Sequence, residues 1–173
     1  IKIQKKNISN QDVKWIKNFN SIKKGPVIFF GNEFLDAIPI KQFKKKNGFF
    51  FEKNYTLNKN FNIKEIFKKT SASNSKILKS YLSIKNLNFI EFPKLGFKEL
   101  KKISNKISKL KGCILLIDYG YLKPHNENTL QSVLKHRKNL LLSNLGKADI
   151  TSHVNFRLLE EFFKKNNLKT KKI

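Results

Sequence analysis

The chain has 173 residues, one domain's worth, and its 39% hydrophobic content is enough for a core. No apolar stretch approaches transmembrane length, no secretory leader pattern is visible, and the lone cysteine excludes an internal disulfide. The formal net charge of +25 admits a basic nucleic-acid-binding module. The lysines, however, run from Lys2 to Lys172 rather than in one block. Together with heavy use of Asn, Ile and Phe they read as an AT-rich coding bias, with lysine as the default exposed residue.

In chain order, residues 1–24 are polar and weakly patterned, with Val13, Trp15, Ile16 and Phe19 as anchors and a short strand predicted at Val13–Trp15. Val27–Phe30 is an apolar run between Gly25-Pro26 and Gly31, the pattern of a short buried strand in a parallel sheet. Asn32, Glu33 and Asp36 follow at its carboxyl end, where open α/β sheets bind ligands. Glu33 and Asp36 are three residues apart, so one helical turn sets both on the same side, and Pro39 stops that turn from continuing. The competing reading is local: Asn32 as an N-cap and Glu33 as a first-turn acid.

A hairpin is predicted from Ile40–Phe43 through Asn47-Gly48 to Phe49–Lys53. Residues 55–62 read as loop and Lys76–Ser83 as a helix, so that 44–85 resembles an insertion on a sheet edge. Leu87–Phe92 reads as a strand, and Gly96–Leu110 as an amphipathic helix with Phe97, Leu100, Ile103, Ile107 and Leu110 inside. Cys113–Ile117 reads as a second buried strand, which makes Cys113 a buried small hydrophobe in a reducing compartment. Strand, helix and strand then suggest a parallel crossover. Residues 129–142 read as partly helical, Asp149–Phe156 as a strand, and Arg157–Asn167 as a helix with Leu158, Leu159, Phe162 and Phe163 buried. His125 is expected in a solvent-facing loop. His136 and His153 share no metal spacing, and neither a zinc pattern, a phosphate-cradling glycine loop nor a serine nucleophile elbow is present.

Three stretches carry a resemblance: Asn32–Pro39, Asp118-Tyr119-Gly120, and Gly146–Phe156, with Thr129-Leu130-Gln131 and His136 between the last two. In order and separation they resemble the MidA-type S-adenosylmethionine-dependent methyltransferases, a group that includes the mitochondrial factor methylating an arginine during assembly of respiratory complex I. The chain differs from the group's pattern at Asn155, usually aspartate, and at Leu145, usually proline. The group's glycine-rich cofactor loop and its ribose-binding acid precede everything in this sequence. With no methionine present and Ile1 first, the resemblance implies the C-terminal portion of a methyltransferase domain over 1–173, its cofactor-loop half absent.

The implied fold is α/β: a partial Rossmann-like methyltransferase sheet with flanking helices and a β-hairpin/helical insertion. The implied cofactor is S-adenosylmethionine. The implied partner is a protein substrate carrying an acceptor arginine, with a complex I subunit as the candidate, in a bacterial cytoplasm or a mitochondrial matrix, with no membrane insertion.

Methyl transfer needs alignment and charge management rather than a covalent nucleophile. Paired carboxylates grip a guanidinium in two places and orient one nitrogen. Glu33, Asp36 and Asn32 are therefore the candidate catalytic residues, with Asn32 also a cofactor contact. Asp118, Tyr119, Asp149, Thr151 and His153 are candidate acceptor-binding residues. For Asp118 a turn-capping role stands equally open. A non-catalytic assembly factor that keeps the fold is the remaining alternative.

Overall fold

The computed structural model describes residues 2–8, 12–16 and 18–171. After α1 (Lys2–Asn7), the chain enters β1 (Val27–Asn32), which runs into a turn over 33–38. An antiparallel arm follows: β2 (Lys41–Lys46), β3 (Phe49–Leu57) and β4 (Ile63–Lys69). Next come α2 (Ala72–Lys79), β5 (Phe89–Phe92), α3 (Lys94–Leu110), β6 (Gly112–Ile117) and β7 (Gly120–Tyr121). The chain closes with β8 (Gln131–Leu134), β9 (Arg137–Asn139), β10 (Asp149–Thr151), β11 (Val154–Asn155) and α4 (Phe156–Lys165). The result is mixed α/β, as expected.

β1 pairs parallel with β6, in register from Val27 opposite Gly112 to Asn32 opposite Ile117, and the short β7 pairs parallel with β11. β1 and β6 therefore end at the same level, and their polar exits lie side by side. The larger sheet is antiparallel, in the order β4-β3-β2-β5. The predicted crossover is thus corrected: β5 pairs antiparallel with β2, and the parallel partner of β6 is β1.

The core lies between one face of the antiparallel sheet and the helices. Phe43, Ile90, Leu78, Ile84 and Leu158 are almost fully buried. The amphipathic patterns of α3 and α4 put Phe97 against Phe162, stacked with ring centroids 4.2 Å apart, and Phe92 against Phe97 edge-on at 5.3 Å. Leu35, in the turn after β1, is buried in the same cluster and anchors that turn from below.

Several expectations are overturned. Residues 13–16 form no strand, and Val13, Trp15 and Ile16 are exposed. Residues 55–57 continue β3, because each pairs across to β4. Residues 131–139 form a hairpin around Lys135-His136, both at positive φ, instead of a helix. The alternating stretch at 149–156 is two short strands broken at Ser152-His153. Within 44–85, β3 and β4 extend the antiparallel sheet outward from β2, in the order β4-β3-β2-β5.

The most consequential difference concerns β1 and β6. Val27, Phe29, Ile114 and Leu116 point inward, but Ile28, Phe30 and Ile117 are 73%, 65% and 51% exposed. Cys113 lies on that outer side and is exposed as well. Apolar runs on both faces need a layer on each side. Only one face is covered among the described residues. No helix among them is long and apolar enough to cross a membrane.

One glycine fixes how closely the site turn sits on the core. A Cβ on Gly96, in the first turn of α3, would lie 2.5 Å from Cγ2 of Ile38. Alanine is the better helix former in isolation. Here Gly96→Ala is expected to destabilise the chain by about 1–3 kcal/mol through overpacking, a loss that urea-unfolding curves will show.

Candidate active site

The end of β1 is shaped by a carboxylate from the neighbouring strand. Oδ2 of Asp118 accepts the backbone N–H groups of Phe34 at 3.0 Å, Leu35 at 2.6 Å and Asp36 at 3.3 Å. Its Oδ1 accepts Tyr119 N–H at 2.9 Å. Asp118 therefore caps the turn after β1 from β6. Three donors converge on one anionic oxygen, an arrangement strong enough to fix both exits.

Two consequences follow for the sequence-predicted acids. The turn at 33–38 is not a helix, so Glu33 and Asp36 are not brought together by helical spacing. Instead Glu33 takes φ +46, a left-handed conformation uncommon for a residue with a side chain. Its Oε1 accepts the Tyr119 hydroxyl at 3.2 Å. That bond, with Glu33's charge, raises the Tyr119 pKa.

The capping role open to Asn32 is taken by Asp118. The Asn32 side chain is exposed and makes no hydrogen bond among the described residues, on the same side of β1 as Ile28 and Phe30.

Asp36 is partly buried, and its Oδ1 has no hydrogen-bond partner and no solvent access. Burial first, then the charge of Asp118, then that of Glu33, push its carboxyl above the usual range, against a smaller pull from backbone amides. The molecule is strongly basic in total, yet three carboxylates crowd this mouth with no lysine or arginine ion-paired to any of them among the described residues.

The third motif joins through the backbone. Ser152 N–H donates to the Asp36 carbonyl at 2.9 Å, and His153 N–H donates to Thr129 Oγ1 at 3.0 Å. Thr129 is held by Glu91, which accepts its backbone N–H at 3.1 Å and its hydroxyl. Glu91 is buried and also takes the Gln42 amide at 2.8 Å. Thr151 Oγ1 accepts the Gln131 amide at 3.2 Å, and the His153 side chain is exposed. Asp149 is exposed at the start of β10, and among the described residues no hydrogen bond or ion pair links it to the acids. A small cavity of about 40 Å³ lies beneath, lined by Leu35, Ile38, Tyr121, Ser152 and Leu158 among others.

Asn32, Glu33, Asp36, Asp118 and Tyr119 are thus brought together. Thr151 and His153 adjoin them through Ser152, and Asp149 stands apart. His136 sits exposed at the β8–β9 hairpin tip. His125 departs from its expected place: it is half-buried, with its ring 4.0 Å from the Tyr121 ring.

Sequence reasoning missed Glu91, Gln42 and Ser152. A single acid inside the apolar strand Phe89–Phe92 was the available signal for Glu91. Burial, and then the charge of Glu91, push the Tyr121 hydroxyl up to about 12. Asn155 caps α4, its Oδ1 accepting Leu158 N–H at 3.0 Å. Aspartate and asparagine cap equally well, which accounts for the amide at that position.

The family model for S-adenosyl-L-methionine-dependent methyltransferases matches residues 1–173. The chain belongs to this family. Among curated relatives, the protein arginine methyltransferase NDUFAF7 homolog, mitochondrial, of Caenorhabditis elegans is 29% identical over 158 residues, 88% of this chain and 36% of its own length. Two crystal structures from Burkholderia thailandensis, of one superfamily, share the fold. One, bound to S-adenosyl-homocysteine, has a TM-score of 0.68 at 18% identity, covering 88% of this chain and 40% of its own. The other, a native structure, has a TM-score of 0.69 at 17% identity, with 88% and 42% covered. This methyltransferase-family chain therefore spans about a third of the curated relative it matches.

A carboxyl whose folded pKa is raised adds stability below its unfolded value and loses that contribution as pH rises through the folded value. Ionised Asp36 therefore works against the fold at neutral pH. Asp36→Asn is expected to raise the melting temperature near neutrality, and the gain should fade on acidification below both values. Thermal melts between about pH 3 and pH 8 read this directly.

Proposed function

We propose that this chain forms the acceptor side of an S-adenosylmethionine-dependent methyltransferase whose acceptor is an arginine side chain of a protein. The observation that supports this reading is the cluster of three carboxylates, Glu33, Asp36 and Asp118, where β1 and β6 end, with no lysine or arginine ion-paired to any of them among the described residues. Like charges crowded together are costly, and an incoming guanidinium offsets them and supplies donors in a planar fork.

The roles divide by geometry. Asp118, saturated by backbone N–H groups, holds the mouth in shape. Asp36 and Glu33 bracket the guanidinium and orient one nitrogen. The cofactor, when bound, supplies an electrophilic methyl on a sulfonium. Glu33, which is exposed and connects to solvent, would take the proton that the methylated nitrogen gives up. Tyr119 donates to Glu33 and steadies it.

Fit to the cofactor rests on Asn32. Its free amide borders the apolar outer side of β1 and β6, a surface suited to a partly apolar cation. The remaining cofactor contacts are proposed to come from a cofactor-loop half outside these 173 residues. The uncovered outer side of β1–β6 and the one-third span of the nematode relative support this. That relative's designation supports an arginine acceptor. A respiratory complex I subunit, in a mitochondrial matrix or a bacterial cytoplasm, is proposed on the resemblance alone.

The test is transfer of a labelled methyl from S-adenosylmethionine to protein arginine by the complete reading frame. Glu33→Gln is expected to lower kcat by ~100-fold or more, the scale of losing one positioned charged group. Turnover within a few-fold of the parent removes Glu33 from the mechanism.

A further inference from the structure

The outer face of the antiparallel arm differs from the rest of the basic surface. Cross-strand register puts Lys44 beside Phe51 and Phe51 beside Lys69. It puts Lys46 beside Phe49, Lys53 beside Phe67, and Lys44 beside Phe89. With side chains alternating along each strand, these residues share one face, opposite the buried Phe43, Phe50 and Ile90. Elsewhere, as on the outside of α3, lysines surround a solvated helix. Here they alternate with aromatics, and Phe49, Tyr55 and Leu57 remain 54%, 42% and 60% exposed.

A groove of about 570 Å³ runs across this face, lined by Lys44, Lys45, Lys46, Phe51, Phe67 and Phe89 together with Asn88. No acidic residue lines it. Lys44, Lys46 and Lys69 have no carboxylate partner among the described residues, whereas Lys53 is paired with Glu65 at 2.6 Å.

We propose that this face docks an acidic, aromatic-containing segment of a partner protein. Charge complementarity specifies the acid: Lys44 and Lys46 line the groove, Lys69 lies on the same face, and none of the three has a carboxylate partner among the described residues. The apolar floor specifies the rest of the segment.

A single-stranded nucleic acid would also meet lysines and rings, but it needs open ring faces for its bases. Here Phe67 and Phe49 each already carry an ammonium group over one ring face. Lys44 Nζ sits 4.2 Å from the Phe67 ring centre, and Lys69 Nζ sits 4.4 Å from that of Phe49. The ammonium groups held there are positioned for carboxylates. The arm reaches the mouth directly, since β2 begins five residues after Asp36. A segment held on the arm therefore keeps its protein tethered near the three acids, at an effective concentration set by the intervening chain. That the tethered protein is the methyl acceptor rests on the function proposed above; the docking does not.

The test uses this chain and a fluorescent synthetic peptide of alternating glutamate and phenylalanine, with polyglutamate and oligouridylate as competitors, at about 0.15 M salt, where exposed charges are screened within ~8 Å. Lys44→Glu with Lys46→Glu and Lys69→Glu is compared with Lys98→Glu, Lys101→Glu and Lys109→Glu on α3, a change of equal charge. Circular dichroism checks both for folding, and the single Lys46→Glu, at an exposed residue without partners, serves if the triple variant unfolds.

Expected are saturable peptide binding, at least tenfold weakening by the arm variant (or several-fold by Lys46→Glu alone), and under twofold change from the α3 variant. Equal weakening by both triple variants, or equal displacement by polyglutamate, reduces the face to generic polycation behaviour and overturns the proposal. Tighter binding of oligouridylate overturns it in favour of nucleic acid. Peptide binding that survives while the complete protein transfers no methyl leaves the docking intact and removes only the enzymatic reading.

Discussion

The site depends on one carboxylate. Asp118, the residue after β6, collects three backbone N–H groups from the turn that leaves β1, so the two parallel strands are tied at their ends as well as along their length. Because the register sets Asn32 opposite Ile117, the residue after each strand faces its counterpart across the gap. Once the capping oxygen comes from the neighbour, the chain after β1 need not cap itself. Asn32 is released, Glu33 turns into the left-handed region, and Asp36 is drawn down beside two other acids. The crowding that raises the Asp36 pKa follows directly from the tie that orders the turn.

A second set of hydrogen bonds carries that order outward. The Asp36 carbonyl holds Ser152, the adjacent His153 is held by the Thr129 hydroxyl, and Thr129 is held by the buried Glu91 of β5. Glu91 in turn reaches Gln42 on β2. Motifs more than a hundred residues apart in sequence are thereby joined to the antiparallel sheet by polar contacts, over an apolar floor in which Leu35, Phe97 and Leu158 are buried together. Gly120 makes part of this possible. A side chain there would collide with the Val154 carbonyl, so only glycine lets β7 lie against β11.

Much of this was legible in the sequence. Apolar runs closed by glycine marked β1 and β6, and periodicity of three and four marked α3 and α4. The order of three polar motifs marked the family, which the family model bears out. What was not legible has physical causes. Spacing alone suggested a helical turn at Glu33–Asp36, but a partner eighty residues away supplied the cap and a different conformation. Continuous apolar sequence suggested burial on both sides of β1, but burial needs a covering layer, and only α3 and its neighbours are in place. The β8–β9 hairpin was hidden because its turn uses Lys135-His136 at positive φ instead of glycine or asparagine. Glu91 was hidden because its partners lie on other strands and loops.

The bare outer side of β1 and β6 has a bearing on how the molecule behaves in a tube. A strip of isoleucine and phenylalanine facing water invites sticking between copies, while twenty-five excess positive charges push the copies apart. Colloidal stability here is a contest between those two forces, and added electrolyte weakens only the repulsive one. Concentrated salt, ordinarily a convenience in handling a lysine-rich protein, would tip this one toward clumping.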